Sequence, residues 1–260
     1  MPIIKGETMK TRNASDRFKT VYLFGTCLLD AVYPDAGMAA IRLLQAQGVR
    51  VVFPQEQSCC GQPAYNSGFV KEARAVARRQ IQVFAKPYPV VVPSGSCAGM
   101  MKHHYPKLFA GTSMEDAARR FADRVYEWSE YLVEVVGIEL EDRGAPVTIT
   151  WHSSCHALRE MDVIGYSKDL IRQLKNVTLV ELERETECCG FGGTFAVKQP
   201  AISAAMVKDK VDDIVRTGAS TVVTGDGGCL VNIAGAMEHS GVRIVGKHLA
   251  QFLWERTNGQ

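Results

Sequence analysis

No run of apolar residues in this 260-residue chain approaches the roughly 18–20 needed to cross a bilayer. The opening stretch Met1–Thr20 lacks the apolar segment of a secretory signal. An excess of one charge is missing too: 30 Lys and Arg against 28 Asp and Glu leave a net +2. Such a balance provides no global field to attract nucleic acid or an anionic membrane surface. The sequence also has no P-loop, no Rossmann glycine fingerprint and no evident flavin motif. The fragment Gly190-Phe191-Gly192-Gly193 lacks the strand-to-helix context and downstream acidic residue that dinucleotide binding requires. Without a site for a hydride acceptor, the chain is expected not to oxidise a substrate by itself. Neither the C-x2-C spacing of zinc knuckles nor the C-x2-C-x2-C-x3-C run of ferredoxins occurs.

What the chain does contain is one cysteine pattern written twice, which uses all eight of its cysteines. In the first copy 31 residues separate Cys27 from the Cys59-Cys60-Gly61 triplet, and 36 separate Cys60 from Cys97. In the second, 32 residues separate Cys155 from Cys188-Cys189-Gly190, and 39 separate Cys189 from Cys229. Adjacent cysteines bridge one another poorly, because their Cα atoms lie about 3.8 Å apart, below the usual disulfide range. A secreted disulfide framework is also usually shorter and denser in cysteine. Thiolates gathered around a metal centre in a reducing, cytoplasmic setting fit the pattern better.

The two halves match beyond their cysteines. Each opens on a short apolar stretch, Val21–Phe24 or Val147–Trp151, that delivers the first cysteine. Helical periodicity follows over Ala36–Gln47 and Tyr166–Lys175. β-branched runs at Val49–Phe53 and Val177–Leu182 end six residues before each Cys-Cys pair. Helical patterns return at Gly68–Phe84 and Gln199–Arg216, and third strands at Val90–Val92 and Thr221–Val223 precede Cys97 and Cys229. Short apolar runs alternating with amphipathic stretches predict an α/β fold of two pseudo-repeated βαβ-type halves with parallel sheets. The expected organisation is a polar N-terminal tail over 1–18 and cysteine-rich repeats over 19–140 and 141–260. In parallel sheets ligands bind beyond the carboxyl ends of the strands. All three cysteine loops of each half follow a strand, so the spacing predicts that they converge on one edge.

Two kinds of centre could use four thiolates. Structural zinc prefers paired cysteines two to four residues apart, whereas a multi-iron cluster offers separate irons to adjacent thiolates. The expectation is therefore iron–sulfur in at least one half, most simply [4Fe–4S] with up to one cluster per half, and zinc in one half as the alternative. The candidate ligands are Cys27, Cys59, Cys60 and Cys97, then Cys155, Cys188, Cys189 and Cys229. Gly61 and Gly190 permit the backbone turn that aims two neighbouring side chains at one object. His152 and His156 flank Cys155 and could ligate, shuttle protons or tune a centre from outside the ligand set; His156, with Arg159 one helical turn beyond that cysteine, is a candidate for the last role. His103 and His104 are expected on the helix after Cys97, at a surface or an interface, and Lys71–Arg79 alternates charge as a solvated helix face, with a partner-docking patch as the alternative.

The repeated pattern resembles the cysteine-rich CCG domain found in heterodisulfide reductase and in the glycolate oxidase iron–sulfur subunit. Two stretches are more specific: Pro93–Met100 with His103-His104-Tyr105-Pro106, and Cys188–Lys198. They resemble the lactate utilisation protein A family, the small iron–sulfur subunits of L-lactate dehydrogenase complexes, over roughly residues 20–255. The Cys-His-x-x-Arg segment at Cys155–Arg159 matches as well. The resemblance implies an oxidoreductase subunit that transfers electrons during oxidation of L-lactate to pyruvate. It implies two companion subunits, a larger iron–sulfur protein and a small third one, and a cytoplasmic location or a peripheral one at the inner membrane face through those partners. A heterodisulfide-reductase-like or glycolate-oxidase-type role, or a zinc-stabilised interaction module, is the alternative. The fuller family pattern ends each half in C-x-x-C, with a fifth thiolate for a non-cubane four-iron cluster. Here Met100 and Asn232 hold those positions, which suits an ordinary cubane better.

Overall fold

Residues 20–258 are described by the computed structural model; the polar tail expected over 1–18 lies outside them. The first half contains β1 (Thr20–Leu23), β2 (Arg50–Val52), β3 (Val90–Val92) and β4 (Val125–Glu127), ordered β2-β1-β3-β4. The second repeats this with β5 (Val147–His152), β6 (Val177–Val180), β7 (Thr221–Thr224) and β8 (Val245–His248), ordered β6-β5-β7-β8. Every pairing is parallel. The α/β architecture in two pseudo-repeated halves is therefore the one the periodicity predicts. A parallel pair needs a crossover, and helices supply it: Pro34–Ala46 and Val70–Val83 in the first half, Ile164–Arg172 and Pro200–Arg216 in the second.

The fourth strand of each sheet is not evident in the sequence. β4 is three residues long and ends on a buried glutamate, and β8 reads Val-Gly-Lys-His with no apolar run. Each is a strand because an existing parallel sheet offers it a hydrogen-bonding edge. The register Val90↔Val125 and Thr221↔Val245 shows the pairing.

The halves share a core. Helix Pro34–Ala46 buries Ala36, Ala39, Ala40, Leu43 and Leu44, the i, i+3, i+4, i+7 stripe of an amphipathic helix. Helix Leu249–Asn258, at the far end of the chain, contributes Leu249, Ala250, Phe252 and Leu253 to the same apolar cluster. Arg42 also lies over the Trp254 ring at 5.6 Å. The segment joining the sheets is held by Arg256, whose Nε and Nη2 donate to the two carboxylate oxygens of Asp142 at 2.8 and 2.7 Å. No helix among the described residues is long and apolar enough to cross a membrane.

Candidate metal centre

Each cysteine takes its place from the strand before it. Cys27 opens the short helix Cys27–Val32 after β1, and Cys97 sits in the helical turn Gly95–Gly99 after β3. Cys59-Cys60 lies in the loop after β2. In the second half Cys155 follows β5, Cys188-Cys189 the β6 loop, and Cys229 the first turn of helix Gly227–His239 after β7. All six loops are at strand carboxyl ends. Because the halves pack with these edges facing, all eight cysteines line one cleft with about 720 Å³ of empty space including its open mouth.

The thiols come in an inner and an outer set. Cys60, Cys97, Cys189 and Cys229 are buried, Cys59, Cys155 and Cys188 are half-buried, and Cys27 is exposed. Cys27 and Cys59 place their sulfurs 4.0 Å apart. The turn that presents each Cys-Cys pair depends on the glycine after it: Gly61 at φ 87° and Gly190 at φ 82° occupy the left-handed region, which other residues resist. Their N–H groups donate to Cys59 Sγ at 3.4 Å and Cys188 Sγ at 3.3 Å. A side chain at 190 would also meet the Ser203 carbonyl at 2.8 Å.

These contacts concentrate negative charge on one sulfur per half. Hydrogen bonding from the Cys27 and Cys60 thiols, with help from the Gly61 amide, pulls Cys59 down to about 3. The same arrangement around Cys155, Cys189 and Gly190 pulls Cys188 down to about 2. Cys27 and Cys155, as the donors, are pushed up, as are Cys60 and Cys189. Metal uptake displaces the protons that the raised thiols of Cys27, Cys60, Cys155 and Cys189 hold, so uptake is pH-dependent. The donor set suits a soft metal group: sulfur only in the first half, drawn from three loops, with adjacent cysteines that favour a multi-metal cluster over a single ion.

The other sequence candidates divide. His156 Nδ1 lies 3.5 Å from Cys155 Sγ and lines the cleft. Arg159 instead donates through Nη2 to the Thr186 carbonyl at 3.2 Å, bracing the loop that leads to Cys188. His104 bridges Tyr65 Oη at 3.1 Å and Glu160 Oε1 at 3.2 Å across the halves. Met100 is fully buried, and Asn232 Nδ2 donates to the Cys189 carbonyl at 2.7 Å, which occupies that side chain in holding the loop.

Sequence reasoning misses Asp226. Its Oδ1 accepts from Ser94 Oγ at 2.5 Å and Ser96 Oγ at 2.6 Å, and the carboxylate also accepts from the Ser96 amide at 3.3 Å. Ser94 in turn accepts from the Cys97 amide at 3.4 Å. This buried network ties the Cys97 loop to the Cys229 loop across the cleft. The one signal for it is positional: Asp226 and Ser94 each stand three residues before the last cysteine of their half.

A two-sheet protein whose repeated cysteine loops meet at one edge belongs to the class that comparison with known sequences returns: the Cysteine-rich domain matches twice, over residues 21–102 and 149–234. Within that class the chain belongs to the lactate utilization protein A family. It is 42% identical to Lactate utilization protein A of Geobacillus sp. (strain WCH70) over 239 residues, covering 91% of this chain and 99% of that one. It is 43% identical to Lactate utilization protein A 1 of Bacillus mycoides (strain KBAB4), covering 90% and 96%. Among solved structures, a hypothetical protein from Helicobacter pylori aligns with a TM-score of 0.67 at 10% identity, over 93% of this chain and 49% of that one. That likeness shows the fold alone, and the chain spans about half the length of that protein.

Proposed function

We propose that this protein is an iron–sulfur electron-transfer subunit of a system that oxidises L-lactate to pyruvate. It carries up to one [4Fe–4S]-type group in each half and works with two companion subunits, in the cytoplasm or at the inner membrane face. The observation that carries the reading is the convergence of eight thiols, four from each half, on one cleft. The relatives' shared name, at about two-fifths identity over nearly their whole length, supports the metabolic setting.

Such a group, when bound, takes up and passes on single electrons. The chain's own residues perform the rest. Cys59 and Cys188 present the first thiolates, and the amides of Gly61 and Gly190 donate to their sulfurs, which favours the charged form. Cys60, Cys97, Cys189 and Cys229 supply sulfur from the buried side, while Cys27 is the exposed cysteine of the eight. The Asp226 bridge holds the Cys97 and Cys229 loops, and with them the two halves, in fixed relation, as efficient electron exchange between them requires.

Anaerobically purified protein should be coloured and contain iron and acid-labile sulfide. With L-lactate and an artificial acceptor the isolated chain should be silent, and turnover should appear on adding its two companion subunits. Colourless protein that takes up no iron, or robust lactate oxidation by the chain alone, would overturn the proposal.

A further inference from the structure

His152 closes β5 three residues before Cys155 and is fully buried. Neither of its ring nitrogens has a hydrogen-bond partner among the described residues. A ring nitrogen and the sulfurs of Cys189 and Cys229 all lie within 4.8 Å of one another. Its register neighbour on β7, Thr224, has a buried hydroxyl that is likewise unpartnered. Buried polar side-chain atoms in native proteins nearly all find partners, so an imidazole left without one beside two buried thiols marks a place where something else binds. Other polar side chains nearby are already engaged: Asn232 holds the Cys189 carbonyl, and His156 sits on the cleft side against Cys155.

Among the described residues the first half offers no equivalent. Counting back three residues from Cys27 gives Phe24, a fully buried ring packed 6.0 Å from Phe84. The two repeats, alike in their thiols, therefore differ in the interior behind them.

We propose that His152 is a nitrogen ligand to the iron–sulfur group of the second half, beside Cys189 and Cys229, while the group in the first half has sulfur ligands only. The inference rests on the iron–sulfur reading above and adds a chemical difference between the two centres. A neutral imidazole offers iron a nitrogen donor that carries no charge, unlike a thiolate.

The test uses full-length protein carrying Cys59→Ser, so that the second half supplies the spectrum, grown with histidine labelled in heavy nitrogen and reconstituted anaerobically. Pulsed electron paramagnetic resonance of the reduced protein should show a strongly coupled histidine nitrogen. The coupling should vanish in His152→Phe, which copies the first half, and survive in His156→Phe. Should His152→Phe fail to fold, His152→Asn keeps a polar side chain of smaller size and serves the same comparison. A cluster spectrum without nitrogen coupling, or coupling that survives loss of His152, overturns the inference and leaves the electron-transfer reading intact. A second half that takes up no iron overturns the inference as well, and iron with acid-labile sulfide in the unsubstituted protein then decides the electron-transfer reading separately.

Discussion

Glu127 is a carboxyl on the last position of β4, 4% exposed. Its side chain accepts from the Ser129 hydroxyl, from the Ser129 amide at 2.7 Å and from the Glu130 amide at 3.3 Å. Those bonds favour the ionised form, yet burial outweighs them and pushes the group up to about 7. A carboxyl whose folded value lies above its unfolded one stabilises the protein fully below the unfolded value, and that contribution is lost as pH rises through about 7. Relative to Glu127→Gln, the natural protein should lose on the order of 3 kcal/mol of stability between about pH 5 and about pH 8. Urea titrations of both proteins at the two pH values measure it, and parallel pH profiles would refute the assignment. The cysteines make a second prediction of single residues. Cys59→Ser or Cys188→Ser should each reduce bound iron to about half, by emptying its own half only. Unchanged iron in both variants would show that the loops do not converge on metal as the geometry suggests.

The two Cys-Cys-Gly turns share a backbone conformation but not their surroundings. A Cβ at 61 would meet Val76 Cγ1 at 3.3 Å, the movable end of a side chain, whereas one at 190 meets the Ser203 carbonyl oxygen at 2.8 Å. Gly190 also binds Ser203 through its own carbonyl, which accepts from Ser203 Oγ at 2.9 Å, so the turn is clamped to helix Pro200–Arg216. Both alanine substitutions carry the left-handed strain of about 1–3 kcal/mol, and Gly190→Ala adds a backbone clash. Gly190→Ala should therefore have the lower urea midpoint of the two, with lower iron retention in the second half. The reverse order would mean that the β6 loop yields where its contacts say it cannot. The strands β4 and β8 carry a related lesson. Helix spans such as Ala36–Gln47 are legible to within a residue or two of the observed Pro34–Ala46, because a buried stripe repeats over several turns. Three or four residues at a sheet margin, one of them Glu127 or Lys247, contain too few periods to signal a strand.

The whole molecule is held together by a core that ignores the repeat boundary. Helix Leu249–Asn258 follows the second sheet in sequence but packs on Pro34–Ala46 of the first half. Leu253 is fully buried there, and Leu253→Ala should cost about 2–5 kcal/mol. Because both halves meet at that contact, circular dichroism and the visible cluster absorbance should shift to the same lower temperature in the variant. Separate transitions for the two signals would show halves that unfold independently.

The fold class and the identity of the candidate ligands are legible in the amino-acid sequence by itself, because both rest on local regularities. Strands and helices announce themselves through side-chain period, and a cysteine pattern written twice at matched spacing is visible in one dimension. Placement of each cysteine loop at a strand carboxyl end follows from parallel βαβ connectivity. What the tertiary structure alone decides is how the halves face one another. Asp226 reaches Ser94 and Ser96 across some 130 positions of chain, and Gly95 allows its turn to press against Ala157 of the other half. No local pattern encodes such meetings, since they depend on the packing angle between two sheets. The same holds for His152: the sequence shows it only as one of two histidines near Cys155, and burial without a partner beside Cys189 and Cys229 is what the tertiary structure adds.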